Sequence, residues 1–170
     1  MDLQEANKYS YATTPHKCNS PDGDGHYTSC DGAGQCALNI VEQLGGNDYG
    51  PGSQYAINTE QEYHVKVSFE DVDGNGNLQS ITTTFTQGAN TRTMQTQGCG
   101  YLRELDDDIA NGMAFVVSAW GKDIWDPSVT NWLTKDRCSG VCTVDAQETI
   151  KNISIKVGTV KPSGGGYDPS

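Results

Sequence analysis

"EYHVKVSFEDVDGNGNLQSITTTFTQG", residues 62–88, decides the fold class. Its first half alternates apolar with polar residues, the period of a half-buried strand. "DVDGNGN" (71–77) is turn chemistry, and "LQSITTTFTQG" (78–88) returns with β-branched and aromatic residues. Residues 62–87 therefore read as a β-hairpin.

Working outward, "SQYAIN" (53–58) reads as another strand, and residues 17–53 as turn-rich loop held by cysteines. "GYLRELDDDIANG" (100–112) has helical spacing at Leu102, Leu105 and Ile109, with Gly112 as the stop. The Asp106-Asp107-Asp108 run reads as the solvated face of that helix. "MAFVVSAW" (113–120) is a continuous apolar run, read as a strand buried on both faces. "ETIKNISIKVGTV" (148–160) is the last strand, and "KPSGGGYDPS" (161–170) begins a flexible linker or tail. Strands separated by long loops, with one short helix, predict an all-β sandwich over residues 1–160.

Composition narrows the partners. The 170 residues carry 22 acidic and 11 basic side chains, a net charge of −11, which argues against nucleic acid and anionic membranes. No apolar run approaches the ~20 residues of a membrane span. The six cysteines, Cys18, Cys30, Cys36, Cys99, Cys138 and Cys142, are even in number and contain no C-x-x-C pair. They read as a disulfide framework of an oxidising compartment, with a zinc site as the rival reading. Asn152-Ile153-Ser154 is a glycosylation sequon, which fits a secreted, extracellular protein. No signal peptide opens the chain, so the expectation is either a mature product or a missing N-terminus.

Three groups of polar residues are candidates for chemistry. Asp2 and Glu5 lie three apart, which in a regular strand points them to opposite faces; a shared site requires a bulge or a strand end. Asp71, Asp73 and Asn75 with Gly76 follow the first half of a calcium loop, but position twelve is Thr82 and strands flank it, so the segment reads as a plain hairpin turn, with the calcium loop as the rival. Trp120, Trp125 and Trp132 cluster in sequence. Core packing competes with a binding role for Trp120, while the polar loop around Trp125 and Trp132 favours binding.

Taken together, "MDLQEAN" (1–7) and "TPHKC" (14–18) resemble the signature of glycoside hydrolase family 7, the cellulose-cleaving cellobiohydrolases and endoglucanases. There the strand reads Glu-x-Asp-x-x-Glu-Ala-Asn, followed by Thr-Pro-His-x-Cys. The resemblance continues through "YGPGSQYAINT" (49–59), "FTQG" (85–88), "NGMAFVVSAW" (111–120) and "NWL" (131–133), corresponding to the C-terminal part of a family domain.

The resemblance implies a concanavalin-like jelly-roll and retaining hydrolysis of a β-1,4-glucan by two carboxylates about 5–5.5 Å apart, without a cofactor. Glu5 matches the general acid/base, Asp2 the assisting carboxylate, and His16 the histidine on the leaving-group side. The nucleophile falls immediately before Met1, so the expectation is an inactive C-terminal piece whose partner is the rest of its domain or another covering chain. Trp120 and Trp132 match sugar platforms, and Lys135 and Arg137 lie where the family places a basic product-site residue. Gln4 departs from the aromatic residue usual before the acid/base. The resemblance also implies the pairs Cys18–Cys30 and Cys36–Cys99, leaving open whether Cys138 pairs with Cys142 or elsewhere. The reading from another class is a noncatalytic carbohydrate-binding or structural extracellular protein on the same fold.

Overall fold

The computed structural model describes residues 1–20, 22–24 and 27–118. The last strand of the sequence reading, the tail, Trp120, Trp125, Trp132, Lys135, Arg137, Cys138, Cys142 and Asn152 lie outside them.

Two antiparallel three-stranded sheets dominate. The first has the order β1 (Asp2–Ala6), β2 (Tyr11–Thr14), β3 (Leu38–Asn39). The second contains β6 (His64–Glu70), β7 (Ser80–Gln87) and β8 (Asn90–Thr96), in that order. Between them in sequence, β4 (Tyr49–Gly50) and β5 (Ile57–Asn58) form a short parallel pair.

The hairpin expected over residues 62–87 is β6–β7, in unbroken register from His64↔Thr86 to Glu70↔Ser80. Period two does the work here. Ile81, Thr83 and Phe85 point inward from β7 and meet Phe69, Val67 and Val65 across β6. On the other side Ile81 and Thr83 pair with Thr96 and Met94 of β8. β8 follows a two-residue turn whose first residue, Gly88, has φ 57°, a value that favours glycine.

The two sheets face each other through Tyr11, Leu38, Phe85 and Met94, joined by Ile40, Tyr49 and Ile57. Tyr11 meets Phe85 edge-on with ring centroids 4.8 Å apart, the favoured geometry for an aromatic pair. A second cluster, Leu78, Ile81, Tyr101, Leu102 and Leu105, extends the core under a 3-10 helix, Gly100–Leu105. Disulfides join Cys18 to Cys30 and Cys36 to Cys99, the latter packed against this cluster. The all-β sandwich expected from the sequence is what these residues form.

Several local expectations are corrected. Of "SQYAIN" only Ile57–Asn58 is strand, because Asn58 turns its side-chain oxygen onto Gly52 N and Glu60 N and holds a turn there. There is more than one short helix. α1 (Ile40–Gln43) begins where Asn39 accepts a capping bond from Val41 N, and α2 (Asp106–Asn111) follows the 3-10 turn and stops at Gly112. Asp106 is not solvated: it is fully buried and accepts bonds from Asp73 N and Gly76 N. Those bonds turn Asp106 toward the "DVDGNGN" backbone, and Asp73 is engaged by Asn75 and Asn77. The segment is a hairpin turn. Residues 113–118 form no strand, and Met113, Phe115, Val116 and Val117 are exposed.

Candidate active site

β1 is an outer strand of its sheet among the described residues, and its pairing with β2 slips. Asp2 faces Thr14, whereas Glu5 faces Ala12, so three steps along β1 match two along β2. Such a register shift, of the kind a bulge makes, lets carboxylates three apart share a side. The Leu3 carbonyl at the slip accepts bonds from Tyr11 OH at 2.9 Å and Thr13 Oγ1 at 3.1 Å.

The three residues singled out in this region come together. Thr14 Oγ1 donates to Glu5 Oε2 at 2.5 Å. His16 Nε2 lies 2.9 Å from Asp2 Oδ2, and His16 Nδ1 lies 2.6 Å from the Asp31 carbonyl. Half-burial pushes the Glu5 carboxyl above its usual range, the Asp2 charge adds to the rise, and the Thr14 hydroxyl and His16 oppose it. A carboxyl so placed keeps its proton longer than an exposed one, the property a general acid needs. Gln4, on the same strand, is exposed.

The turn after Cys30 closes around His16. Asp31 Oδ1 accepts from Ala33 N and Gly34 N, and Asp31 Oδ2 accepts from Tyr101 OH at 2.9 Å. These bonds, Tyr101 first, hold the Asp31 carboxyl below its usual range. Tyr101 OH in turn accepts from Lys17 N at 2.7 Å. Thr14, Asp31 and Tyr101 were not singled out in the sequence. Thr14 sat within the quoted motif but carries no signal of its own, and Tyr101 is remote in sequence. Among the described residues, no group of three or more His, Cys, Asp or Glu side chains could hold a metal ion.

No family model matches the chain. Among curated proteins it is similar to Endoglucanase EG-1 of Trichoderma longibrachiatum, 29% identical over 157 residues, covering 84% of this chain and 31% of that protein. Endoglucanase EG-1 of Hypocrea jecorina matches with the same identity and coverage. Of solved structures, an endoglucanase I complexed with cellobiose aligns with a TM-score of 0.49 at 20% identity, over 65% of this chain and 35% of that one. An endocellulase of Humicola insolens aligns at 0.44 and 24% identity, over 54% and 24%. Most of the chain is thus a region similar to curated endoglucanases. It spans about a third of the length of the curated relatives it matches.

Proposed function

We propose that this chain forms the acid/base side of the active site in a secreted, retaining β-1,4-glucan hydrolase of the cellulase type. The observation that carries the reading is the slip in β1 that gathers Asp2, Glu5 and His16 around Thr14. Glu5, its pKa raised, protonates the leaving glycosidic oxygen and later takes a proton from the attacking water. Asp2 hydrogen-bonds the nucleophile, the carboxylate that the motif places directly ahead of Met1. His16 braces Asp2. Trp120, Trp125 and Trp132 offer indole faces to the apolar sides of the sugar rings, and Lys135 and Arg137 supply charge on the product side.

Two disulfides among the described residues and the sequon at Asn152 favour an oxidising, extracellular setting.

The test is the natural-length protein with Glu5→Gln. Turnover of an unactivated glucan should drop at least ~10²-fold, the scale of general-acid catalysis. Newly released reducing ends should retain the β configuration by NMR. Near-normal turnover in the variant removes Glu5 from the mechanism; glucan binding without hydrolysis in the parent favours the noncatalytic reading.

A further inference from the structure

His16 lies between two acceptors. Nδ1 is 2.6 Å from the backbone carbonyl of Asp31, and Nε2 is 2.9 Å from the carboxylate of Asp2. A carbonyl oxygen only accepts, so Nδ1 must carry the hydrogen. A neutral imidazole then has none left for Nε2. A hydrogen bond between Nε2 and Asp2 Oδ2 therefore requires a second proton, on one atom or the other.

What holds the carbonyl in place is unusually well determined. The Asp31 side chain is tied to Ala33 N, Gly34 N and Tyr101 OH, and Tyr101 OH is itself fixed by Lys17 N. The cysteine pair Cys18–Cys30 closes the loop between Lys17 and Asp31. Gly34, at φ 67°, lies so close that an added Cβ would sit 2.5 Å from Pro15 O, 2.6 Å from Thr14 Cγ2 and 3.2 Å from His16 Cε1. Tyr101 reaches this turn from the 3-10 helix and is itself buried.

We infer that the Asp31–Gly34 turn, clamped by Tyr101, is a positioning device that keeps a proton on His16 Nδ1 and turns Nε2, with a second proton shared there, onto Asp2. Tyr101 and Asp31 are positioning residues, since both act through His16. One consequence reaches the chemistry. An Asp2–His16 pair holding that second proton is neutral as a unit, so Glu5 sees less repulsion than it would from a bare Asp2 carboxylate. The kinetic part of the inference rests on the hydrolase reading; the proton placement does not.

The experiment is long-range ¹H–¹⁵N correlation on the 170-residue chain, with His16→Gln assigning the ring among the three histidines. In the parent, His16 Nδ1 should be protonated and slow to exchange with solvent. Tyr101→Phe should move its ¹⁵N shift toward a mixture of tautomers and speed that exchange. Asp31→Asn, which keeps the shape of the turn with a weaker acceptor, should do the same to a smaller degree and covers the case in which Tyr101→Phe does not fold. A parent ring with a bare Nδ1 overturns the inference. So does a folded Tyr101→Phe in which shift and exchange are unchanged. In the natural-length protein Tyr101→Phe should lower kcat about tenfold with KM unchanged, a split expected of a group acting through the acid/base apparatus. A natural-length protein that hydrolyses nothing, with the protonated Nδ1 kept in the 170-residue chain, ends the hydrolase reading and leaves the positioning device standing.

Discussion

Thr14 Oγ1 donates to Glu5 Oε2 from the β2 position that faces Asp2, not from the one that faces Glu5. Only the slipped register of β1 makes this bond available. It stabilises the charged form of Glu5 against the burial that opposes it. Thr14→Val should therefore raise the Glu5 pKa further. On the proposed role of Glu5 as general acid, which must be protonated to act, the alkaline limb of kcat/KM in the natural-length protein should move to higher pH. In the 170-residue chain the same shift is read from carboxyl ¹³C titration. A limb that moves to lower pH contradicts the assignment.

The raised pKa has a second consequence, for stability. Folded Glu5 holds its proton to a higher pH than the unfolded chain does. Its contribution is fully present below the unfolded pKa of 4.5 and is lost as pH rises through the folded value. Glu5→Gln removes the ionisation. The variant should unfold at a higher temperature than the parent near neutral pH, with the difference shrinking toward zero at about pH 3.5. A constant difference across that range would locate the effect in packing instead.

Asp106 offers a test of the turn at the other end of the hairpin. Both its oxygens accept from the backbone of residues 73 and 76, inside the fold. Asp106→Ala leaves those two donors without their partner and should cost about 1–3 kcal/mol in urea unfolding at unchanged m value. Calcium or chelator should leave the transition of the parent where it is, since Asp106 and Asp73 spend their oxygens on protein donors. A calcium-dependent rise would revive the calcium-loop reading of Asp71, Asp73 and Asn75.

That turn shows where sequence reading reaches and where it stops. The β6–β7 hairpin was legible because its signal is local: Val65, Val67 and Phe69 alternate, and glycine turn chemistry follows. β8 was not, since Met94 and Thr96 point inward from a strand otherwise polar, and only pairing with β7 explains them. Asp106 looked like one of three solvated acids; its burial depends on a turn more than thirty residues away in sequence. Asp2, Glu5 and His16 were visible as residues, through a motif. The slip that lets them meet was named as a requirement, and it could not be derived, because no glycine or proline in "DLQEA" marks it.

The two disulfides should contribute unequally. In the chain-entropy account, closing the 12-residue separation of Cys18–Cys30 is worth about 3 kcal/mol and the 63-residue separation of Cys36–Cys99 about 4 kcal/mol. Cys36→Ala with Cys99→Ala should lower stability more than the corresponding pair at Cys18 and Cys30. The smaller loss should instead mark the His16 NMR signature, because that bridge closes the loop carrying Asp31. Equal effects on both readouts would mean that the bridges act only through global stability.

Phe115, Val116 and Met113 stand 66%, 77% and 53% exposed, in a run that the sequence reads as a doubly buried strand. An apolar run specifies burial only when something is there to cover it, and among the described residues no strand pairs with this one. Each such side chain forgoes roughly 1.5–3 kcal/mol of burial, and adjacent ones form a patch that invites association. The 170-residue chain should accordingly self-associate with rising concentration in sedimentation velocity. Phe115→Ser with Val116→Ser should reduce that association and leave the thermal transition of the monomer nearly unchanged. In the natural-length protein, where further polypeptide can pack on this face, the same double substitution should lower the transition temperature sharply. If the 170-residue chain stays monomeric at every concentration, and the longer protein tolerates the substitutions, the segment is an ordinary exposed stretch and the expected strand does not form in either.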